Sequence, residues 1–161
     1  MKWDHTTYWD STCCGTQSQF SPLFTLESKF LSLIEELAKN TDNKKAFILS
    51  ETLNSANGKF LTSGKSPSRK VNELDTRGSH FYLTMYWVEA LASQTKNSEL
   101  QIKFTAIKEM LLKNETKILN DLNVAQGKPV NLGGYYMPDN KKMINAMRPS
   151  NTFNKIIDSI M

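Results

Sequence analysis

Cysteine is nearly absent from this sequence. Of 161 residues only Cys13 and Cys14 carry thiols, and they are adjacent. Neighbouring cysteines rarely bridge each other, and no C-x-x-C spacing is present for zinc or dithiol redox chemistry. Two free thiols imply a reducing compartment, so the expected location is the cytoplasm. Histidine is as scarce, and His5 and His80 stand too far apart in sequence to suggest a metal site by spacing. No metal site is expected. The glycines form no G-x-G-x-x-G turn, no phosphate-binding P-loop and no G-x-S-x-G elbow, which removes the common dinucleotide-fold and serine-hydrolase signatures. No apolar run approaches the length of a membrane span, and MKWDHTTYWDST at the amino terminus lacks the apolar core of a signal peptide. Like charges cluster no further than pairs such as Lys44-Lys45 and Lys141-Lys142. The net charge of +4 is therefore spread thinly, which argues against a nucleic-acid face.

What is present describes a helical protein. Hydrophobic residues at 39% and charged residues at 22% belong to a soluble globular chain, and the length suits one domain with a sizeable core. Residues 1–25 mix Trp3, Tyr8, Trp9 and Phe20 with Ser, Thr, Gly and Pro without a persistent period, and read as an irregular arm. Residues 26–161 read as a single helical domain. Leu26, Phe30, Leu33, Ile34 and Leu37 fall at helical spacing, with Thr25 as the expected N-cap and Asn40 as the stop. A second helix is expected from near Asn43, with Ala46, Leu49, Leu53, Ala56 and Phe60 on one face. His80 to Gln94 is apolar around almost its whole circumference, the pattern of a buried central helix. Ser98 to about Ala125 gives the clearest stripe, with Ser98 and Gln101 as a capping box and Gly127 and Pro129 at the end. Val130 to Tyr136 suits a short strand or an extended turn. Short helices are expected from about Asp139 to Met147 and after Ser150 or Asn151. The fold class is mainly α, with at most one or two short strands.

The chemistry concentrates in GKSPSRKVNELDTRGSHFY, Gly64 to Tyr82. Two readings fit this loop. In one it merely connects two helices and its charges are solvated. In the other, Ser66, Ser68, Arg69 and Lys70 form a phosphate or carboxylate pocket, since hydroxyls and a guanidinium donate in a fork that suits an oxyanion. Arg77 and His80 stand near enough in sequence to support such a pocket, and Gly78 and Ser79 at a helix start offer unpaired backbone N–H groups. Glu73 and Asp75 are placed to hold Arg69 or Arg77 through ion pairs. For His80 a hydrogen-bonded structural role competes with an anion-binding or acid role.

Several segments resemble the carboxyl-terminal region of the monomeric-type NADP-dependent isocitrate dehydrogenases. They are SETLNSANGKFL (50–61), KSPSRKVNELDTRGSHFYLTMYWVEALASQT (65–95), NETKI (114–118), AQGKPVNLGGYY (125–136) and AMRPSNTFN (146–154). The resemblance implies a carboxyl-terminal part of the smaller α/β domain of that fold. It also implies oxidation of isocitrate to 2-oxoglutarate and carbon dioxide in the tricarboxylic acid cycle, with NADP and Mg or Mn. The arginine of the family's K-S-P-[SA]-R-K motif binds the coenzyme, which makes Arg69 the expected contact to the 2′-phosphate of NADP. The family's R-W-D-S motif also contacts NADP. Here Tyr8-Trp9-Asp10-Ser11 keeps W-D-S, so that Trp9 and Asp10 are candidate coenzyme residues, but Tyr8 replaces the arginine.

The metal-binding aspartates and the isocitrate-gripping residues of the family belong to other parts of the enzyme. Two expectations follow. The chain is part of such a dehydrogenase, inactive alone, from a truncated or split gene, and its partner is the separately encoded remainder. Alternatively, it is a non-enzymatic remnant or NADP-binding interaction module, docking to such a remainder or associating with itself. Neither nucleic acid nor a membrane is an expected partner.

Overall fold

The computed structural model describes residues 22–134 and 136–160, and among these it contains six helices and no strand. They are α1 (Pro22–Thr41), α2 (Lys44–Thr62), α3 (Thr76–Ser93), α4 (Ser98–Val124), α5 (Asn140–Met147) and α6 (Asn151–Asp158). α3 packs against both α2 and α4; α1 leans on α2, and α6 on α4. The mainly α expectation holds, and residues 130–134 run as an extended turn rather than a strand.

The central position of α3 follows from its sequence. Phe81, Tyr82, Leu83, Met85, Tyr86, Val88 and Leu91 are all buried, so most of its circumference faces other helices. Ile107, Leu111, Ile118 and Leu122 of α4 cover one side, and Ala56 and Phe60 of α2 cover another. Phe153 of α6 meets Phe81 edge-on, with ring centroids 5.4 Å apart. Polar links fix the register of these faces. Trp87 Nε1 donates to Leu49 O at 3.2 Å and Thr52 Oγ1 at 3.1 Å, joining α3 to α2. Tyr82 Oη donates to Glu115 at 3.0 Å, joining α3 to α4.

The helix starts depart from expectation in instructive ways. α1 begins at Pro22, ahead of Leu26, and Thr25 lies inside the helix instead of capping it. α4 is capped by the Asn97 carboxamide, which accepts from Leu100 N at 2.9 Å. Ser98 is therefore already helical, and the expected Ser98–Gln101 capping box does not form. α3 starts at Thr76, a turn before His80. Asn43 and Asp139, expected only as approximate helix starts, cap α2 and α5, and Ser150, one of the two residues expected to open the last helix, caps α6. On α1, Ala38 is fully buried, whereas Phe30, Leu33 and Leu37 are 50%, 63% and 55% exposed. Three residues of the α1 stripe are thus exposed, while Ile34 is half-buried.

Candidate functional site

The loop between α2 and α3 is a closed ring fastened to the helices behind it. Ser68 N donates to Leu74 O at 2.7 Å, closing residues 68–74. Inside the ring the Ser68 hydroxyl donates to the Glu73 carboxylate and accepts from Lys70 N at 3.2 Å. Lys70 Nζ approaches the same carboxylate at 3.9 Å. Where the ring rejoins the body, buried Ser79 donates its hydroxyl to Lys65 O at 2.7 Å. Lys65 lies over the Tyr82 ring, its ammonium 4.4 Å from the centroid.

These commitments sort the expected anion donors. Ser68 and Lys70 serve the Glu73 carboxylate and so shape the loop. Arg69 and Ser66 are exposed, and their side chains make no polar contact among the described residues. Arg69 therefore presents a full set of guanidinium donors to solvent from a backbone that is held.

Arg77 and His80 point elsewhere. Arg77 Nε bonds Asp75 at 2.8 Å, and its terminal nitrogens reach Ala146 O at 3.3 Å and Leu122 O at 3.5 Å. This confirms the Asp75–Arg77 pair. It also makes Arg77 a bracket between α3, α4 and the end of α5, at a cavity whose lining does not include Arg69. His80 Nδ1 meets Thr76 O at 2.7 Å, the structural role. Both residues line an open cavity of about 420 Å³ with Leu122, Met147, Arg148 and Phe153. Its second arginine, Arg148, is committed to Asn154 and Asp158.

The backbone anion site expected at Gly78 and Ser79 is corrected. Asp75 caps α3, its carboxylate accepting from Gly78 N at 2.8 Å while its carbonyl accepts from Ser79 N at 2.9 Å. A capping carboxylate already fills the place an anion would take. Trp9, Asp10 and Tyr8, like His5, Cys13 and Cys14, lie outside the described residues. Among the described residues no three His, Cys, Asp or Glu gather as metal ligands, and no described helix is long and apolar enough to cross a membrane.

One residue at the site was missed by sequence reasoning. Gln126, just beyond α4, accepts from Asn72 N at 2.9 Å and donates to Glu73 O at 2.9 Å. A contact spanning more than fifty residues leaves no local signal, and the segment reads from sequence only as a helix terminator.

The described residues thus form a helical unit that presents one arginine, unpaired among them, on a fastened loop. Comparison with known proteins supplies the family. The family description "Monomeric isocitrate dehydrogenase" matches residues 27–158. The chain is 52% identical over 136 residues to isocitrate dehydrogenase (NADP) 2 of Colwellia maris, covering 83% of this chain and 18% of that protein. It is 52% identical over 129 residues to the NADP isocitrate dehydrogenase of Azotobacter vinelandii, covering 78% and 17%. The chain belongs to the monomeric isocitrate dehydrogenase family. It spans less than a fifth of the length of these relatives, 18% and 17%, and constitutes a mainly helical carboxyl-terminal part of their fold.

Proposed function

We propose that this chain supplies one wall of the NADP site of an isocitrate dehydrogenase, with Arg69 holding the coenzyme's 2′-phosphate. The observation that carries this reading is the state of Arg69 in a chain of this family: exposed, unpaired among the described residues, and mounted on a closed loop. A guanidinium can bond a phosphomonoester through two parallel N–H donors, and one not already paired to a carboxylate loses little in doing so. The exposed Ser66 hydroxyl, three residues away, is a further donor available to the same phosphate. NADP bound there would accept the hydride removed from isocitrate.

Among the described residues no three His, Cys, Asp or Glu side chains gather as a metal-binding group, and no step through a divalent ion is assigned to them. Oxidative decarboxylation needs coenzyme, metal and both walls of the substrate site held together. The chain alone is therefore inactive in this reading, and the rest of the dehydrogenase completes it. The exposed apolar stripe of α1, Phe30, Leu33 and Leu37, supports that view. Such a face calls for a cover, and more than four-fifths of the relatives' length lies beyond the matched 18% and 17%. The compartment assumed is the cytoplasm.

The test is complementation. The purified chain with isocitrate, NADP and Mn should form no NADPH. Mixing it with the Azotobacter vinelandii relative deleted for the matching region should restore turnover, and charged substitutions at Leu33 and Leu37 should abolish the restoration. NADPH formation by the chain alone, or a homodimer sealing the α1 stripe with no complementation, contradicts the proposal.

A further inference from the structure

We infer that Gln126 is a positioning residue for Arg69, clamping the arginine-bearing loop to the end of α4; its consequence for coenzyme rests on the NADP-site reading above. The hydrogen bonds that close residues 68–74 are internal to the ring, from Ser68 N to Leu74 O and from the Ser68 hydroxyl to Glu73. They set the ring's shape but do not attach its tip to the helices. Among the described residues, the only side chain from outside the ring to hydrogen-bond with it is Gln126. Its carboxamide accepts from Asn72 N and donates to Glu73 O, each at 2.9 Å, and it also donates to Asn123 Oδ1 at 3.2 Å. An N–H can only donate and a backbone carbonyl can only accept, so one orientation of the amide satisfies all three partners.

The surrounding backbone is shaped around this clamp. Asn72 adopts a φ of 68°, a left-handed conformation that asparagine tolerates better than most residues. Gly127, immediately after Gln126, has a φ of 68° as well, and a Cβ there would lie 2.8 Å from Val71 Cγ1. Glycine thus both turns the chain out of α4 and lets Val71 of the loop settle against it. The distance from clamp to cargo is short: Val71, Asn72 and Glu73 follow Arg69 and Lys70 directly. Tethering the tip fixes the direction in which Arg69 leaves the loop, while leaving the guanidinium itself uncommitted. Preorganisation of this kind lowers the ordering cost of binding.

Gln126→Met in the full chain keeps the length of the side chain and removes both bonds to the loop. Since Gln126 is only partly buried, the variant should keep the wild-type melting temperature. Loss of two hydrogen bonds should speed amide exchange at Asn72, and tryptic cleavage after Arg69 and Lys70, by about tenfold or more. Exchange and cleavage equal to wild type overturn the assignment. So does faster exchange across α2, α3 and α4 alike with a matching fall in melting temperature, which marks a general stability role. Titration with NADP and with adenosine 2′,5′-bisphosphate separates the clamp from the site. Weaker affinity in the variant, in step with the loosened loop, supports both. Both titrations are made with the chain mixed with the deleted relative described above, which completes the site; a loosened loop with nucleotide affinity unchanged, or with no nucleotide bound by either mixture, supports the clamp and counts against the site.

Discussion

Tyr82 joins the core of the bundle to the candidate site. Its ring carries Lys65 on one side, and its hydroxyl donates to Glu115 on α4. Burial pushes the phenol up from 10.0 to about 12, and the hydrogen bond to the Glu115 carboxylate adds to the shift. A folded-state value above the unfolded one means that the native chain keeps a proton the unfolded chain releases. Stability from this group is complete below pH 10 and is lost as pH rises towards 12. Denaturant titrations across that window should show a steeper alkaline loss for wild type than for Tyr82→Phe; parallel curves would remove Tyr82 from the account. At this scale the sequence was only partly legible. The Asp75–Arg77 pair could be read because its members lie two positions apart. The separation of Arg77 and His80 from Arg69 could not, because it depends on where α3 begins. Asp75 starts the helix a turn early, and both side chains then swing towards α4 and α6.

Among the elements, α4 does the most to order the others. Its buried stripe of Ile107, Leu111, Ile118 and Leu122 supports α3 along its length, and its far end reaches the loop through Gln126. Leu111 is fully buried. Leu111→Ala should cost about 2–5 kcal/mol, the range for a buried leucine whose cavity does not collapse. Equilibrium urea unfolding measures it, and a loss below about 1 kcal/mol would mean that α4 does not hold α3 as described. Helices of this kind were readable because four or more apolar residues repeat at a 3.6 spacing. Their ends were less so. Asn97 and Ser98 are both good caps by residue type, and only the geometry shows which one has left the helix. Similarly, Leu26 to Leu37 carries a clear helical period, yet Phe30, Leu33 and Leu37 are exposed and small Ala38 is fully buried. Periodicity locates an apolar face without saying which surface covers it.

For the molecule as a whole, the chain spans less than a fifth of its relatives' length, and in the function proposed above it works within something larger. Residues 27–158 match the family, α2, α3, α4 and α6 share one core, and Phe30, Leu33 and Leu37 of α1 remain outside it. The family could be read from long segments such as KSPSRKVNELDTRGSHFY, since they preserve at once the loop, the Asp75 cap and the buried start of α3. The 2′-phosphate contact by Arg69 is the central claim. Its most direct measurement uses residues 27–158 of this chain grafted into the Azotobacter vinelandii relative in place of the matching region, with and without Arg69→Ala. Loss of a charge-assisted, two-pronged hydrogen bond should raise the KM for NADP by about 10- to 100-fold, while the weaker use of NAD, which lacks the 2′-phosphate, stays the same. Equal losses with NADP and NAD, or no loss with either, would contradict it.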